Sequence, residues 1–459
     1  MNILFIIPRA SSPEHVIPED INVYSGEHIG TGYLKAALYE SGHHSEVIDL
    51  NYTGISLIDV VKEILDDEYE FVGITCNQYC ISQVKKLVLL LRQEGFAGFI
   101  CVGGQFPTLA PNLITTICPG TDFILTGEAD LTLLLLLERL ARNDMSRNVP
   151  GLWYQDNNKG WVLAMHPQAV ENLDTLPYPE HYQLKREKSQ GIPLGNPGIS
   201  GSRGCPHNKC TFCSTAAYYK SIIGGNCWRA RSAENVVEEM LSIYESFGSK
   251  YFVFIDETVF DGTSLGRLRM EVFADRLLAI GSPFTFFFDC RANDVEPLLF
   301  ERLRNAGLVR VYIGFESMQT SYLSKINKGT TNAENLEAIK ILRMLDIDII
   351  PGFIPFHPLS TIVEVVNDFR FLVEVLEYNA IHKYVKRMLP EVGTPFYNEL
   401  LRKNMIPNNL INYDFENNVD YYFADREVQD LFVRLKSLVL EDKCYNVNVL
   451  YEEVMKKHK

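Results

Sequence analysis

Three cysteines of the chain, Cys205, Cys210 and Cys213, lie on one short stretch that follows a predicted strand, Gly198–Ser202. Three thiolates this close together can ligate three irons of a cubane iron–sulfur cluster and leave the fourth iron open. An open iron can bind a ligand and reduce it. The type and spacing of these residues therefore predict a redox enzyme with a 4Fe–4S cluster.

Two other interpretations of the cysteines stay open. A structural zinc ion takes four ligands, and the nearest additional candidates are His207 and Cys227. A second cluster is possible among four cysteines nearer the N-terminus, although one of them falls within a predicted strand, where free cysteines behave as small buried hydrophobes. Those four are Cys76, Cys80, Cys101 and Cys118. A tight cluster among ten otherwise scattered cysteines is typical of metal binding in a reducing compartment, so we expect a cytoplasmic protein.

Residues 1–145 alternate short apolar runs with amphipathic stretches, which predicts a doubly wound, Rossmann-like parallel sheet. The predicted strands are Ile3–Ile7, Glu46–Leu50, Phe71–Thr75, Phe99–Gly103 and Phe123–Leu125, and the predicted helices are Gly32–Ser41, Ser56–Asp66, Ser82–Glu94 and Leu131–Arg142. Ligands of such sheets bind beyond the carboxyl ends of the strands.

Residues 146–196 are predicted to be a connector with a small hairpin, and residues 197–390 show a second strand–helix alternation. Six strands are predicted there, at Gly198–Ser202, Tyr251–Ile255, Phe284–Phe288, Val309–Phe315, Asp348–Phe353 and Ile381–Met388. Capping boxes are expected at Thr331 with Glu334 and at Thr361 with Glu364. This pattern favours a partial (β/α)6 barrel with its chemistry at the strand C-terminal ends. Residues 391–459 are expected to be irregular and then mostly helical.

Composition excludes some classes of function. The 459 residues carry a formal net charge of −15, which argues against a protein that wraps nucleic acid. No apolar run reaches the roughly 18–20 residues of a membrane-spanning helix, and the first residues are typical of a strand and not of a signal peptide.

The cluster loop and the segments downstream resemble the radical S-adenosylmethionine (SAM) superfamily. The motifs that carry the resemblance are Arg203-Gly204-Cys205-Pro206, Phe254-Ile255-Asp256-Glu257, Asp289-Cys290-Arg291, Ile313-Gly314-Phe315-Glu316-Ser317, Lys328-Gly329 and Gly393-Thr394-Pro395. Residues 1–145 resemble the cobalamin-binding domain of one subgroup, through Val102–Thr108 and Thr126–Asp130. The chain departs from the superfamily in its C-x4-C-x2-C spacing, where C-x3-C-x2-C is usual, and we expect the extra residue to reshape the loop. It also lacks a D-x-H-x-x-G segment, so a bound cobalamin would have its lower face open or occupied by water.

The resemblance implies three cofactors and their ligands. Cys205, Cys210 and Cys213 would hold the 4Fe–4S cluster, and SAM would contact Phe212, Asp256, Arg291 and Glu316. Cobalamin would contact Pro8, Thr75, Asn77, Gln78, Gly103, Gly104, Gln105, Gly127 and Glu128. Each SAM residue has a structural alternative: a salt bridge from Glu316 to a barrel lysine or arginine, an ion pair from Arg291 to Asp256 or Glu257, and core packing for Phe212. Asp256 and Glu257 can also face the substrate, and Cys290 or Tyr312 is either a hydrogen-atom donor or barrel packing.

The function that the resemblance implies is methylation of an unactivated carbon of a peptide or natural-product substrate, with an electron donor such as flavodoxin or ferredoxin. Two alternatives remain: rearrangement or cyclisation with the same cofactors, and a non-catalytic metal-binding or redox-sensing protein. The aromatic stretch Asn417–Phe423 either lines the barrel opening or forms a packed loop.

Overall fold

The computed structural model describes residues 1–9, 26–144, 148–224, 227–406, 421–440, 444 and 446–456. Its N-terminal part contains a seven-stranded sheet in the order β2-β1-β3-β4-β5-β6-β7, of which the first five strands are parallel. These strands are β1 (Ile3–Ile7), β2 (Ser45–Asp49), β3 (Phe71–Thr75), β4 (Phe99–Gly103) and β5 (Phe123–Leu125). The doubly wound sheet is confirmed, and four of the five predicted strands have the predicted bounds.

Helices cover both faces of this sheet, which explains why its strands are nearly continuous apolar runs. Along β1, Leu4 and Ile6 face one buried cluster, whereas Ile3 and Phe5 face another. The helices are α1 (Ile29–Glu40), α2 (Leu57–Asp66), α3 (Ile81–Gln93), α4 (Gln105–Leu109), α5 (Pro111–Ile117) and α6 (Thr132–Ala141).

The predicted hairpin forms, and it extends the N-terminal sheet. Strands β6 (Leu152–Asp156) and β7 (Gly160–Leu163) pair antiparallel, and β6 pairs antiparallel with β5. The part of the connector that crosses to the second sheet therefore begins after β7. It contains one helix, α7 (Tyr182–Gln190).

The second sheet has five parallel strands in the order β14-β13-β12-β11-β8, and a two-stranded ribbon of β9 and β10 lies beside it. The strands are β8 (Gly198–Ile199), β9 (Ser202–Arg203), β10 (Arg229–Ala230), β11 (Tyr251–Phe254), β12 (Thr285–Cys290), β13 (Leu308–Glu316) and β14 (Asp348–Phe353). The helices between them are α8 (Ser214–Ile222), α9 (Ala233–Phe247), α10 (Ser264–Ala279), α11 (Pro297–Asn305), α12 (Thr320–Lys325), α13 (Asn332–Met344) and α14 (Ile362–Arg370). Both predicted capping boxes are present, at the first turns of α13 and α14.

The prediction of a sixth barrel strand at Ile381–Met388 is wrong. Ile381–Val385 forms a 3₁₀ turn, and a single parallel bridge joins Arg387 to Phe356. Tyr384 is fully buried at this turn, and its hydroxyl donates to the carbonyl of Tyr378 at 2.5 Å. This local bond keeps the segment turned, so that it closes the sheet edge without adding a full strand.

The C-terminal region is mostly helical, as expected, with α15 (Pro395–Arg402), α16 (Arg426–Leu440) and α17 (Val447–Met455). Of the aromatic stretch Asn417–Phe423, residues 417–420 lie outside the described residues. The Tyr421 hydroxyl donates to the Met388 carbonyl at 2.9 Å, and the Phe423 ring packs against Phe356. Among the described helices, none is long and apolar enough to cross a bilayer.

Candidate active site

A cavity of about 380 Å³ lies between the two sheets, at the carboxyl ends of their strands. The N-terminal sheet contributes six of the residues predicted to contact cobalamin: Thr75, Gly103, Gly104, Gln105, Gly127 and Glu128. The C-terminal part of the chain contributes residues of the β9 ribbon, the start of the cluster loop, α8 and the loop after β11, namely Ser202, Arg203, Gly204, Thr215, Tyr218, Tyr219, Asp256 and Glu257. Asp256, one of the four residues predicted for SAM, therefore faces the same space as the six predicted cobalamin residues.

The three cluster cysteines lie on the loop between β9 and α8, and all three are partly exposed. Cys213 is the N-cap of α8, and its sulfur accepts a hydrogen bond from the backbone N–H of Ala216 at 3.4 Å. Burial raises the pKa of the Cys210 thiol to about 11, against the opposing effect of the Lys328 ammonium, and burial also raises the pKa of Cys213. Bound metal would favour the thiolate form instead, because a coordinating thiol is deprotonated by the ion.

The longer spacer between the first two cysteines contains a residue in the left-handed backbone region. Asn208 has φ +44°, a conformation that asparagine tolerates better than most residues. Its side-chain amide donates to the sulfur of Cys227 at 2.8 Å, and His207 Nε2 lies 2.6 Å from the carbonyl oxygen of Asn327. The spacer is thus a turn that is held at both of its central residues.

These same contacts test the zinc alternative. His207 and Cys227, the candidate fourth ligands, are occupied by a backbone carbonyl and by Asn208. Within the described ranges, no three His, Cys, Asp or Glu side chains converge closely enough to hold one metal ion. A structural zinc ion needs a fourth ligand, whereas a cubane with an open iron needs only three thiolates. Because both candidate fourth ligands are engaged elsewhere, the three cysteines fit a cluster better than zinc.

Glu316 lies at the end of β13 and pairs with Lys328, whose Nζ is 2.7 Å from Glu316 Oε1. Glu316 has φ +63°, a conformation that is strained for a residue with a side chain. Strain of this kind persists where the side chain is needed, and it is a pointer to function. Although burial opposes it, the Glu316 carboxylate raises the pKa of the Lys328 ammonium, so Lys328 keeps its charge. The structural alternative for Glu316, a salt bridge to a barrel lysine, is present.

Arg291 and Asp256 have partners within the protein. Arg291 Nη2 donates to the carbonyls of Lys328 and Gly329 at 3.0 and 3.1 Å, so its side chain braces the Lys328-Gly329 turn. Asp256 accepts hydrogen bonds from the Gly201 N–H at 2.9 Å and from the Ser202 hydroxyl. Burial raises the pKa of Asp256 to about 6 despite these bonds. The sequence left open an ion pair from Arg291 to Asp256 or Glu257 as a structural alternative. The contacts described for these side chains do not include it.

The four residues predicted for SAM lie in three different places. Arg291 and Glu316 lie near Cys210, since the charges of both act on its thiol. Phe212, within the cluster loop, packs at the edge of the main buried cluster. Asp256 lines the shared cavity with the cobalamin group. Their roles toward SAM stay predictions.

Glycine backbone forms part of the N-terminal side of the cavity. A Cβ on Gly104, whose φ is +113°, would lie 2.8 Å from the Cys76 carbonyl oxygen, and one on Gly127 would lie 2.7 Å from Pro167. Gln105 Nε2 donates to the Ser214 hydroxyl at 3.1 Å, directly after the third cluster cysteine. Neighbouring protein atoms thus require glycine at positions 104 and 127, and both glycines also line the cavity, where backbone without a side chain would allow a bulky ligand such as a corrinoid to approach closely.

Three residues predicted for cobalamin are not among those that line the cavity. Pro8 is buried at the end of β1. The Asn77 side chain accepts from the backbone N–H groups of Tyr79 and Cys80 and caps a 3₁₀ turn. Gln78 is 4% exposed and bonds with the backbone at Pro390 and Val392. The sequence could not show this last contact, because its partners are more than 300 positions away.

The four N-terminal cysteines differ from the three cluster cysteines in their burial. All four are buried, and Cys101 lies within β4 as a small core residue. Hydrogen bonding from the Cys76 thiol lowers the pKa of Cys80, so these two cysteines interact with each other. The second-cluster interpretation therefore has no support in the geometry.

Sequence reasoning missed a set of buried ion pairs that joins the two sheets beside the cavity. Arg203 of β9 donates to both carboxylate oxygens of Asp130, at 2.8 and 2.9 Å. Arg229 of β10 donates to Glu128 at 3.0 Å, so Glu128 is held by an arginine as well as lining the cavity. Arg203 and Glu128 both belong to the motifs that carry the family resemblance. Their presence in those motifs was the only hint in the sequence that they have a role near the site.

Comparison with known families agrees with this geometry. Residues 199–372 match the Radical SAM superfamily, and residues 23–137 match the B12 binding domain. The chain therefore combines a radical SAM domain with a B12-binding domain. The cofactors that these two domains imply are a 4Fe–4S cluster, SAM and cobalamin.

Two curated relatives and one solved structure illustrate the similarity. The chain is 26% identical over 414 residues to an uncharacterized methyltransferase of Pyrococcus horikoshii. This match covers 90% of this chain and 84% of the relative. It is 23% identical over 400 residues to the anaerobic magnesium-protoporphyrin IX monomethyl ester cyclase of a Synechocystis species, spanning 85% and 76%. The structure of the cobalamin-dependent SAM radical enzyme OxsB with aqua-cobalamin and SAM bound superimposes with a TM-score of 0.76 at 20% identity, covering 100% of this chain and 71% of that one. The last likeness shows a shared fold.

Proposed function

We propose that the protein is a cobalamin-dependent radical SAM methyltransferase that methylates an unactivated carbon of a peptide or natural-product substrate. The observation that carries the proposal is the cavity of about 380 Å³ lined by both domains. A reaction that needs a methyl carrier and a SAM-derived oxidant at one carbon requires both cofactor sites to face the same space. The similarity to a methyltransferase over 90% of the chain supports the same class.

Named residues would hold each cofactor. Cys205, Cys210 and Cys213 would ligate the cluster, and Phe212, Asp256, Arg291 and Glu316 would border SAM. The corrinoid would contact Thr75, Gly103, Gly104, Gln105, Gly127 and Glu128. When bound, the cluster supplies the electron for reductive cleavage of SAM, and the corrinoid supplies methyl transfer.

The chain's own residues orient these groups and keep water out. The Glu316–Lys328 pair and the Arg291 bonds hold the turn that packs on the cluster loop. The Arg203–Asp130 pair holds the two sheets together on one side of the cavity. Thr215 donates to Glu257 at 2.7 Å, which fixes a carboxylate at the cavity edge close to Cys213. Preorganised groups of this kind lower the cost of aligning reactants.

A second candidate, cyclisation or rearrangement without methyl transfer, is favoured by the similarity to a cyclase over 85% of the chain. The two candidates use the same cofactors and differ in products. Methyl transfer consumes one SAM as a methyl donor and yields S-adenosylhomocysteine alongside 5′-deoxyadenosine. Cyclisation or rearrangement needs only the second of these products.

The experiment that separates them is product analysis under anaerobic conditions. The reconstituted enzyme is supplied with reductant and with SAM that carries a deuterated methyl group. We expect S-adenosylhomocysteine and 5′-deoxyadenosine together, with the label leaving SAM. Formation of 5′-deoxyadenosine alone by a protein that holds both cofactors would contradict the methyltransferase proposal.

We also propose the remaining partners and the compartment. A low-potential donor such as flavodoxin or ferredoxin would reduce the cluster. The net charge of −15 disfavours nucleic acid as a partner. Ten free cysteines are consistent with work in the reducing cytoplasm.

A further inference from the structure

We propose that Gln78 and Tyr79 are positioning residues, which fix the loop beneath the corrinoid site relative to the cluster loop. They contact Pro390, Glu391 and Val392, and we call these five residues the domain joint. The inference rests on the proposed function, because it assigns the joint a role in the geometry between the two cofactors. Neither Gln78 nor Tyr79 lines the shared cavity, so they would act through other residues.

The Gln78 side chain is bonded at both of its polar atoms. Its Nε2 donates to the Pro390 carbonyl at 3.1 Å, and its Oε1 accepts from the Val392 N–H at 2.8 Å. The residue is 4% exposed. A two-point bond to backbone groups two residues apart fixes the orientation of the amide as well as its distance. Gln78 therefore joins the N-terminal sheet to residues 390–392 as a rigid contact.

Tyr79 adds a second contact at the next position. Its hydroxyl donates to the carboxylate of Glu391, the residue between the two backbone partners of Gln78. Just beyond them, Gly393 has φ +89°, and a Cβ there would lie 3.0 Å from Leu109 Cβ in the helix that follows β4. The consecutive residues Gln78 and Tyr79 thus contact the consecutive residues 390–392. These paired contacts leave little freedom for the first loop to slide along the second.

The joint is connected to the cavity on its N-terminal side by backbone bonds. The N–H of Cys76 donates to the Gly103 carbonyl at 2.7 Å, and the N–H of Phe106 donates to the Cys76 carbonyl at 3.2 Å. Gly103 and Gly104 line the cavity at the proposed corrinoid face. Displacement of the loop at residues 77–79 would therefore move this face.

On its other side the joint is connected to the cluster loop. The N–H of Phe396 donates to the carbonyl of Thr211 at 2.9 Å, and the N–H of Thr211 donates to the Ile326 carbonyl at 2.9 Å. Thr211 stands between Cys210 and Cys213. A continuous set of short contacts therefore runs from the proposed corrinoid face, through Gln78 and Tyr79, to the cysteines that would hold the cluster.

The test uses Gln78→Met, which keeps the length of the side chain and removes both bonds, and Tyr79→Phe, which removes one hydroxyl. The matched control is Tyr69→Phe, because Tyr69 also donates to a carboxylate, that of Glu46, at 2.8 Å but within the N-terminal sheet alone. The first readout is hydrogen exchange of residues 205–213 and 390–396 in the reconstituted full chain. The second is the magnetic coupling between the dithionite-reduced cluster and added cob(II)alamin, measured by electron paramagnetic resonance.

We expect exchange of both segments to rise about fivefold in Gln78→Met, by less in Tyr79→Phe, and not in Tyr69→Phe. The magnetic coupling should change in the two joint variants alone. Exchange of residues 205–213 that stays at the wild-type rate in both joint variants would overturn the inference, as would unchanged coupling. If the wild-type protein takes up no corrinoid, the proposed function is contradicted. The hydrogen-exchange measurement alone then tests whether the joint positions the cluster loop.

Discussion

The ion pair between Glu316 and Lys328 gives a prediction with a definite size. Both side chains are about one-tenth exposed, at 11% and 9%, so solvent screens them little. Removing one partner of such a pair leaves an uncompensated buried charge and costs about 3–5 kcal/mol. We expect Glu316→Gln and Lys328→Met each to lower the free energy of unfolding by about 3 kcal/mol. The double variant should lose about the same, because the shared interaction is already gone.

Urea unfolding of the four proteins, followed by tryptophan fluorescence, measures this cycle. The control is Glu234→Gln, whose partner Arg276 lies at 3.0 Å with both side chains exposed, and which should cost less than about 1 kcal/mol. If Glu316 also contacts SAM, Glu316→Gln should weaken SAM binding more than Lys328→Met does. Additive losses in the double variant, or a loss no larger than that of Glu234→Gln, would refute the assignment of a strong buried pair.

Two further predictions concern the support of the site. His181 lies between the carboxylates of Glu27 and Glu239, which outweigh burial and raise its pKa to about 9 from 6.5, a difference of about 3 kcal/mol. This contribution to the free energy of unfolding is complete below pH 6.5 and is lost as the pH rises through about 9. In urea unfolding, His181→Gln should therefore lower the free energy of unfolding by about 3 kcal/mol at pH 6 and by clearly less at pH 10. An equal loss at both pH values would contradict the prediction. Gly204→Ala should lower the iron content and the stability of the protein, because φ at Gly204 is +87° and the new Cβ would lie 2.1 Å from the Cys227 carbonyl oxygen. The matched control is Gly248→Ala, where φ is +75° but the new Cβ would have no atom within 4 Å.

The periodic features of the fold could be predicted from the sequence. Buried parallel strands such as Ile3–Ile7 and Phe71–Thr75 are short apolar runs with turn residues on either side, and their bounds are as predicted. The capping boxes at Thr331 and Thr361 depend on residues three positions apart, so they were also visible locally. Local patterns suffice where the stabilising contacts are local.

The sixth strand shows where local patterns fail. Ile381–Met388 contains the strand formers Ile381, Tyr384 and Val385 among four polar residues, but Tyr384 is buried in a 3₁₀ turn and bonds with Tyr378. Whether such a segment pairs fully with the sheet is decided by how the rest of the chain closes the barrel edge. Propensity cannot decide this, because tertiary packing outweighs it.

The site was predicted in outline and not in its contacts. The loop ends at Thr75, Gly103 and Gly127 do face one cavity, as the strand order requires. The partners of Gln78 and Arg203 could not be predicted, since they lie 73 or more positions away and no periodicity links them. The resemblance gave Gln78 as a cobalamin contact and Arg203 as part of a superfamily motif. In the structure Gln78 bonds to the backbone of Pro390 and Val392, and Arg203 pairs with Asp130.

The central claim is that one chain holds a cluster and a corrinoid at a shared cavity. Anaerobic reconstitution with iron, sulfide and cobalamin, followed by metal analysis and corrinoid absorbance of the desalted protein, tests it most directly. We predict about four irons and one corrinoid per chain, with the iron lost in a Cys205→Ala, Cys210→Ala, Cys213→Ala triple variant that still takes up corrinoid. A protein that retains zinc and neither iron nor corrinoid would contradict the account.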